Sequence, residues 1–372
     1  MLGFFVLDAD SGNRIGGPQV NGLNHVSMNL GGFDRVSGPA RGEDYPLYSD
    51  ALLDWYGAKN VTSVRLLFTW EAVQSALFGP IPATQPGYGD YWNDLAGDPE
   101  SSVLARLLAR DICVILSPWQ YNKATGTTDI VYDNAAFTSA AFADFWGKFA
   151  PVINGLTGND QRVAFDLINE PHQTSAGADI GITLADWFTR AQAAITAIRA
   201  AGAANLIFVP GMEWTAASSF VSNGSAAAWL TLTDPQKNIA VTVHCYDGVG
   251  SASPTVFRDA CSALVTWART NSVKIHIGEI ALNAGCNGRP NFCSTLATAQ
   301  AQWADWNSFC TENNDVVAGW NWWANSAAGW WNQNDSCDDP SDREHWGLTL
   351  DDGVTQTVYM DLIESTLGTR KL

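Results

Sequence analysis

A short apolar run followed by an amphipathic stretch recurs eight times along the chain, and this repetition constrains the fold more than any other feature. The runs cover 20–24, 61–68, 112–117, 163–169, 206–210, 239–246, 274–279 and 316–322. Helix-like segments lie at 49–58, 100–110, 139–154, 184–201, 226–232, 254–271, 295–313 and 355–367. In 184–201, Leu184, Trp187, Phe188, Ala191, Ala194, Ile195 and Ile198 recur at helical spacing, Thr183 stands where a cap belongs, and Gly202 follows as a stop. Runs that are apolar without alternation are strands buried on both faces. Strict strand–helix alternation predicts an α/β fold, here one (β/α)8 TIM barrel spanning 1–372 as a single domain. A doubly wound sheet would want a glycine-rich phosphate loop after an early strand, and none is visible. Residues 4–17 read as a hairpin turning at Asp10-Ser11-Gly12-Asn13, so segment 1–18 is expected to cap the barrel bottom.

Charge narrows the partners. The 38 Asp and Glu against 20 Lys and Arg give a net charge of −18, which opposes binding to nucleic acid and to anionic membranes. An uncharged partner suits the chain better, and 17 Trp supply broad apolar surfaces with a polar edge. No run is long and apolar enough to span a bilayer, and the first eight residues lack the pattern of a signal peptide. Among seven Cys, the late group Cys286, Cys293, Cys310 and Cys337 has the look of a disulfide-stapled secreted enzyme, whereas Cys113 reads as a buried thiol. No Cys or His spacing fits zinc, and the acidic stretch 335–344 lacks the regular oxygen spacing of a calcium loop. Neither metal nor other cofactor is expected, and the protein is expected to be a secreted monomer.

Chemistry in such a barrel belongs at the C-terminal ends of the strands. The fourth run ends Asn169-Glu170-Pro171-His172 and the seventh ends Gly278-Glu279-Ile280, so two carboxyls can converge across the barrel mouth. Two carboxyls astride a sugar linkage are the equipment of glycoside hydrolysis, one protonated and one ionised. Arg65 and Tyr246 can hold Glu279 ionised, His244 can serve Glu170, and Asn169 is placed to meet a sugar hydroxyl.

The set Arg65, Asn169-Glu170-Pro171, Pro210-Gly211-x-x-Trp214, His244-x-Tyr246, Gly278-Glu279 and Trp322-Trp323-Ala324, in that order, resembles glycoside hydrolase family 5. The Asn-Glu-Pro-His and Trp-Trp-Ala blocks most resemble its fungal-type endoglucanases. The resemblance implies a retaining, endo-acting enzyme on β-1,4-glucan, with Glu170 as acid/base and Glu279 as nucleophile. It also implies an aromatic floor from Trp323 or Trp322; alternation turns only one inward, and Trp323 is favoured as the counterpart of the second Trp in the family's Trp-Trp-Ala block. Trp214, Trp70 and the pair Trp330-Trp331 are candidates for further sugar contacts, and His172 is expected behind the site. One departure concerns the third strand, where the family commonly carries Pro-His-Asn-Tyr and this chain has Pro118-Trp119-Gln120-Tyr121. Trp119 donates but cannot accept, so it bears on substrate choice. A β-mannanase, a narrower oligosaccharide glycosidase and a silent carbohydrate-binding barrel are the alternatives. The loops 78–94, 285–294 and 325–346 are expected to wall the cleft.

Overall fold

β-Branched and aromatic runs favour the pleated strand, and the pleat turns side chains alternately to the barrel axis and to the helices. The computed structural model describes residues 6–7, 15–16, 26–31, 33, 45–82, 88–119, 137–175, 178–179, 182–247, 251–282, 296–326, 348, 356 and 358–366. Its barrel strands are β1 (Val26–Gly31), β2 (Val61–Thr69), β3 (Cys113–Trp119), β4 (Val163–Asp166), β5 (Ile207–Pro210), β6 (Ile239–Cys245), β7 (Ile275–Ile280) and β8 (Val317–Ser326). All neighbouring pairs are parallel, and β8 returns to β1 through Trp322 opposite Met28, closing the ring. The main helices are α1 (Asp50–Ala58), α2 (Val103–Leu108), α3 (Ser139–Thr157), α4 (Leu184–Ala200), α5 (Ser225–Trp229), α6 (Val256–Thr270), α7 (Leu296–Glu312) and α8 (Val358–Thr366). The expected (β/α)8 barrel is the observed fold.

Local chemistry starts the helices where the sequence places caps. Ser49, Ser102 and Thr138 accept from Leu52, Ala105 and Ala141 backbone N–H groups, and Thr183 forms a reciprocal capping box with Asp186. Each such cap stabilises by about 1 kcal/mol. α3 ends at Gly158, whose φ of 66° suits glycine. Phe142, Phe145, Trp146, Phe149 and Ile153 bury one face of that helix, and Trp146 Nε1 donates to the Leu167 carbonyl at 3.3 Å.

Several expectations need correction. The first barrel strand is Val26–Gly31, not 20–24, which lies outside the described residues. Its alternation of Ser27 and Asn29 with Met28 and Leu30 reflects a polar barrel axis and hides it from a search for apolar runs. The amino-terminal hairpin has its strand pair, Val6–Leu7 against Ile15–Gly16. Cys310 sits inside α7 as a buried free thiol rather than in a stapled loop, while Cys286, Cys293 and Cys337 lie outside the described residues. Cys113 is the buried thiol expected, and burial pushes it up to about 12. Part of loop 78–94 is core, since Tyr91 is buried and its hydroxyl donates to the Phe33 carbonyl at 2.6 Å, while 83–87 lie outside the described residues. Loop 285–294 and most of 325–346 lie outside the described residues, as does the acidic stretch 335–344.

The barrel axis changes character along its length. Toward the N-terminal ends of the strands Ile115, Ala164, Leu206, Phe208 and Ala240 pack as one apolar cluster. Toward the C-terminal ends the interior is polar, centred on Arg65.

Candidate active site

Arg65 on β2 is buried on the axis and spends its guanidinium on five partners. Nε donates to Asp166 Oδ2 at 2.8 Å, Nη1 to Glu279 Oε1 at 2.8 Å and Asn29 Oδ1 at 3.0 Å, and Nη2 to Ser117 Oγ at 2.9 Å and Asn169 Oδ1 at 2.7 Å. A planar five-donor fork is the side chain that can tie four strands to one point. Asn169 is thereby held by its oxygen, and its buried Nδ2 has no protein partner among the described residues.

Glu279 lies on β7, buried, with Tyr246 Oη donating to Oε2 at 2.5 Å. Glu170 lies beyond the end of β4, because that strand stops at Asp166 instead of running on to 169 as expected. The backbone turns left-handed at Glu170 (φ 44°), a conformation disfavoured for a side chain with a Cβ and found where surrounding structure enforces it. His172 supplies part of that enforcement: its Nδ1 lies 2.7 Å from the Glu170 carbonyl oxygen. His244 Nδ1 sits 2.7 Å from Glu170 Oε1 and 3.4 Å from Glu279 Oε2.

Burial pushes both carboxyls up to about 7 and depresses His244 to about 4, so the imidazole is neutral between them. Two acids this close titrate as a pair, and one charge is held before the second. The first charge belongs on Glu279, because Arg65 and Tyr246 donate to it directly while Glu170 is hydrogen-bonded to the imidazole. Glu170, His244 and Glu279 also bring metal-ligand atoms within 4.8 Å of one another. The guanidinium on Glu279 repels a dication there, so the trio is better suited to moving protons than to holding a metal.

The aromatic candidates divide. Trp323 faces the mouth and stacks with Trp119, ring centroids 5.9 Å apart and planes 19° apart. These two join Leu67, Ala281 and Ala324 in a cluster touched by Tyr246. Trp322 faces the other way, buried edge-on against Trp303 of α7, and is core. Trp70 is likewise core, packed on Phe137, Phe142 and Phe145. Trp214 is 41% exposed, lies flat on His172 at 4.7 Å, and sits in a left-handed run with Glu213 and Thr215. Trp330 and Trp331 lie outside the described residues. Asn29, Ser117 and Asp166 were not singled out from the sequence, although a polar residue inside a strand buried on both faces is the signal that marks them.

A parallel barrel that aims two carboxyls, one bound to a cation and one not, into the same mouth has the arrangement that glycoside hydrolysis requires. The comparisons narrow the class. The profile of Cellulase (glycosyl hydrolase family 5) matches residues 21–326, and the chain belongs to that family. It is 28% identical to Endoglucanase 1 of Robillarda sp., over 88% of this chain and 83% of that protein. It is 29% identical to Endo-β-1,4-glucanase A of Emericella nidulans, over 72% and 71% respectively. The solved structure of XacCel5A in complex with cellopentaose superposes with a TM-score of 0.70 at 27% identity, covering 93% of this chain and 99% of that one.

Proposed function

We propose that this protein is an endo-acting hydrolase of β-1,4-glucosidic bonds that retains configuration, with Glu170 as acid/base and Glu279 as nucleophile. The observation that carries this reading is the carboxyl spacing. One carboxyl oxygen of Glu170 and one of Glu279 lie within 4.8 Å of each other, as the ~5–5.5 Å carboxyl spacing of retaining enzymes allows and short of the ~6.5–9.5 Å that admits a water between acids in inverting ones.

Glu279 attacks the anomeric carbon while Glu170 gives its proton to the departing oxygen; Glu170 then takes a proton from the water that releases the glycosyl-enzyme. Arg65 and Tyr246 keep the nucleophile charged, and the open Nδ2 of Asn169 is the donor for a sugar 2-hydroxyl. Trp323, backed by Trp119, offers the floor for the sugar being cleaved, and exposed Trp214 offers a platform further along. Endo action and a glucan substrate draw support from the endoglucanase names of the relatives and from cellopentaose in XacCel5A. We place the protein outside the cell as a single-domain monomer, where a polymer is met. Among the described residues no helix is long and apolar enough to cross a membrane.

Proton NMR of a cello-oligosaccharide digest tests the mechanism: the β-anomer is expected first, and an initial α-anomer refutes retention. Carboxymethylcellulose assayed beside mannan tests the substrate. Faster release from mannan replaces the glucan by the mannanase alternative, and no release from either leaves the silent barrel.

A further inference from the structure

Partway up the barrel axis, one ring of side chains is polar and incompletely paired. The strand registers define it. Arg65 pairs with Ile115 and through it with Ala164, Asp166 pairs with Phe208 and through it with Ala240, and Thr242 pairs with His276 and through it with Gly319. A closed eight-stranded barrel is sheared by about one residue per strand, so each ring is completed by every second strand. The ring at the level of Arg65 on β2 therefore takes Asp166 on β4, Thr242 on β6 and Asn321 on β8.

Arg65 has its nitrogens engaged, but the other three residues each leave an atom over. Asp166 Oδ1, Thr242 Oγ1 and Asn321 Oδ1 are buried with no protein partner among the described residues, and so is His244 Nε2, one step above Thr242. All four residues are more than nine-tenths buried. Gly278 on β7 borders the same spot: a Cβ there would stand 2.6 Å from Thr242 Oγ1 and 3.3 Å from His244 Nε2. Its missing side chain leaves room beside both atoms.

Buried polar atoms in folded proteins are paired, and an interior water needs two to four such partners. We infer that this ring binds one water molecule on the barrel axis, and that Thr242 acts through it as a positioning residue for His244 and so for the carboxyl pair. The role rests on the acid/base reading of Glu170 given above. The hydrogen-bond count closes. The Thr242 hydroxyl and His244 Nε2–H donate to the water, and the water donates to Asp166 Oδ1 and Asn321 Oδ1. His244 Nδ1 is then an acceptor, and its partner 2.7 Å away is the protonated Glu170. A bond made only to the protonated form favours that form, which keeps the acid loaded.

Without the hydroxyl and its water, the imidazole is released to carry its proton on Nδ1 and donate to an ionised Glu170. The titratable and charged groups around it are Glu170 and Asp166 from the β4 side, Glu279 and His276 from β7, Arg65 from β2, and Tyr246 beyond β6. T242V alters none of them. A high-resolution crystal structure of the unmodified protein is expected to show one ordered water bonded to Thr242 Oγ1 and His244 Nε2, and a dry ring overturns the site whatever the activity. T242V is expected to lower kcat about tenfold at nearly constant KM and to move the alkaline limb of the kcat profile down by about one pH unit. T242S is expected to restore both. A wild-type profile in T242V overturns the positioning role even if the water is present. Should T242V fail to fold, T242S with a displaced profile despite an intact water overturns it equally. Failure of the carboxyl roles themselves shows separately, as turnover retained by E279Q.

Discussion

Ile115, Ala164, Phe208 and Ala240 fill the barrel below the level of Arg65, while Asn29, Ser117, Asp166 and Glu279 surround Arg65 at and above it. β3 and β4 supply both halves, two residues apart, through Ile115 and Ser117 and through Ala164 and Asp166. The lower half is apolar packing, worth about 25 cal/mol per Å² of surface removed from water. The upper half buries charge, which contributes little net stability and becomes costly when one partner is lost. What the upper half gains is preorganisation, because donors fixed before substrate arrives need no rearrangement during the reaction. The difference separates stability from chemistry along one axis, and substitutions in each half can break or sharpen that separation.

The largest effect is expected at Glu279. E279Q should lower kcat by on the order of 10⁴-fold or more and leave thermal unfolding close to wild type. Next, R65M should damage both properties, lowering kcat by about 10²- to 10³-fold and stability by about 3–5 kcal/mol in urea unfolding, since Asp166 and Glu279 lose their cation. F208A, in the lower half, should lose a similar ~3–5 kcal/mol yet keep kcat in the folded fraction. A kcat that falls with F208A as it does with R65M would erase the distinction between halves.

A smaller effect follows from pH. Folded Glu170 keeps its proton up to about 7, against 4.5 for the ordinary carboxyl. Between those values the folded state holds more protons than the unfolded one, so its stability is full below the window and falls as pH rises through it. E170Q should flatten that decline by about 1–3 kcal/mol, read from urea midpoints at the two ends of the window. An unchanged slope would mean that Glu170 is not held protonated. The smallest effect belongs to Trp214, outside the axis. W214A should raise KM for long oligosaccharides about three- to tenfold at constant kcat, and equal losses on short and long substrates would remove it as a remote platform.

The seven later strands were legible because each holds a continuous apolar run, and the helices because their apolar residues recur at helical spacing. β1 was not, since Ser27 and Asn29 face a polar axis and break the pattern. At the site, the motif residues Arg65, Asn169, Glu170, His244, Tyr246 and Glu279 do meet. Trp322 and Trp70 show the limit. A tryptophan beside a motif reads the same whether it faces sugar or helix, and Trp303 on α7 decides that for Trp322. Asp166 escaped notice for a related reason: its role depends on a partner 101 positions earlier in the chain.

Ring closure carries a consequence for how the protein comes into being. Asn29 Nδ2 donates to the Gly278 carbonyl and Asn321 Nδ2 to the Met28 carbonyl, contacts that span 249 and 293 positions. Arg65 reaches Glu279 across 214. Contacts so distant in sequence form late and are lost together. A chain still emerging from synthesis with β1 to β6 in hand has its acid but neither its nucleophile nor the last wall of its barrel. Turnover is therefore a report on completed closure, and a partly assembled chain is a silent one.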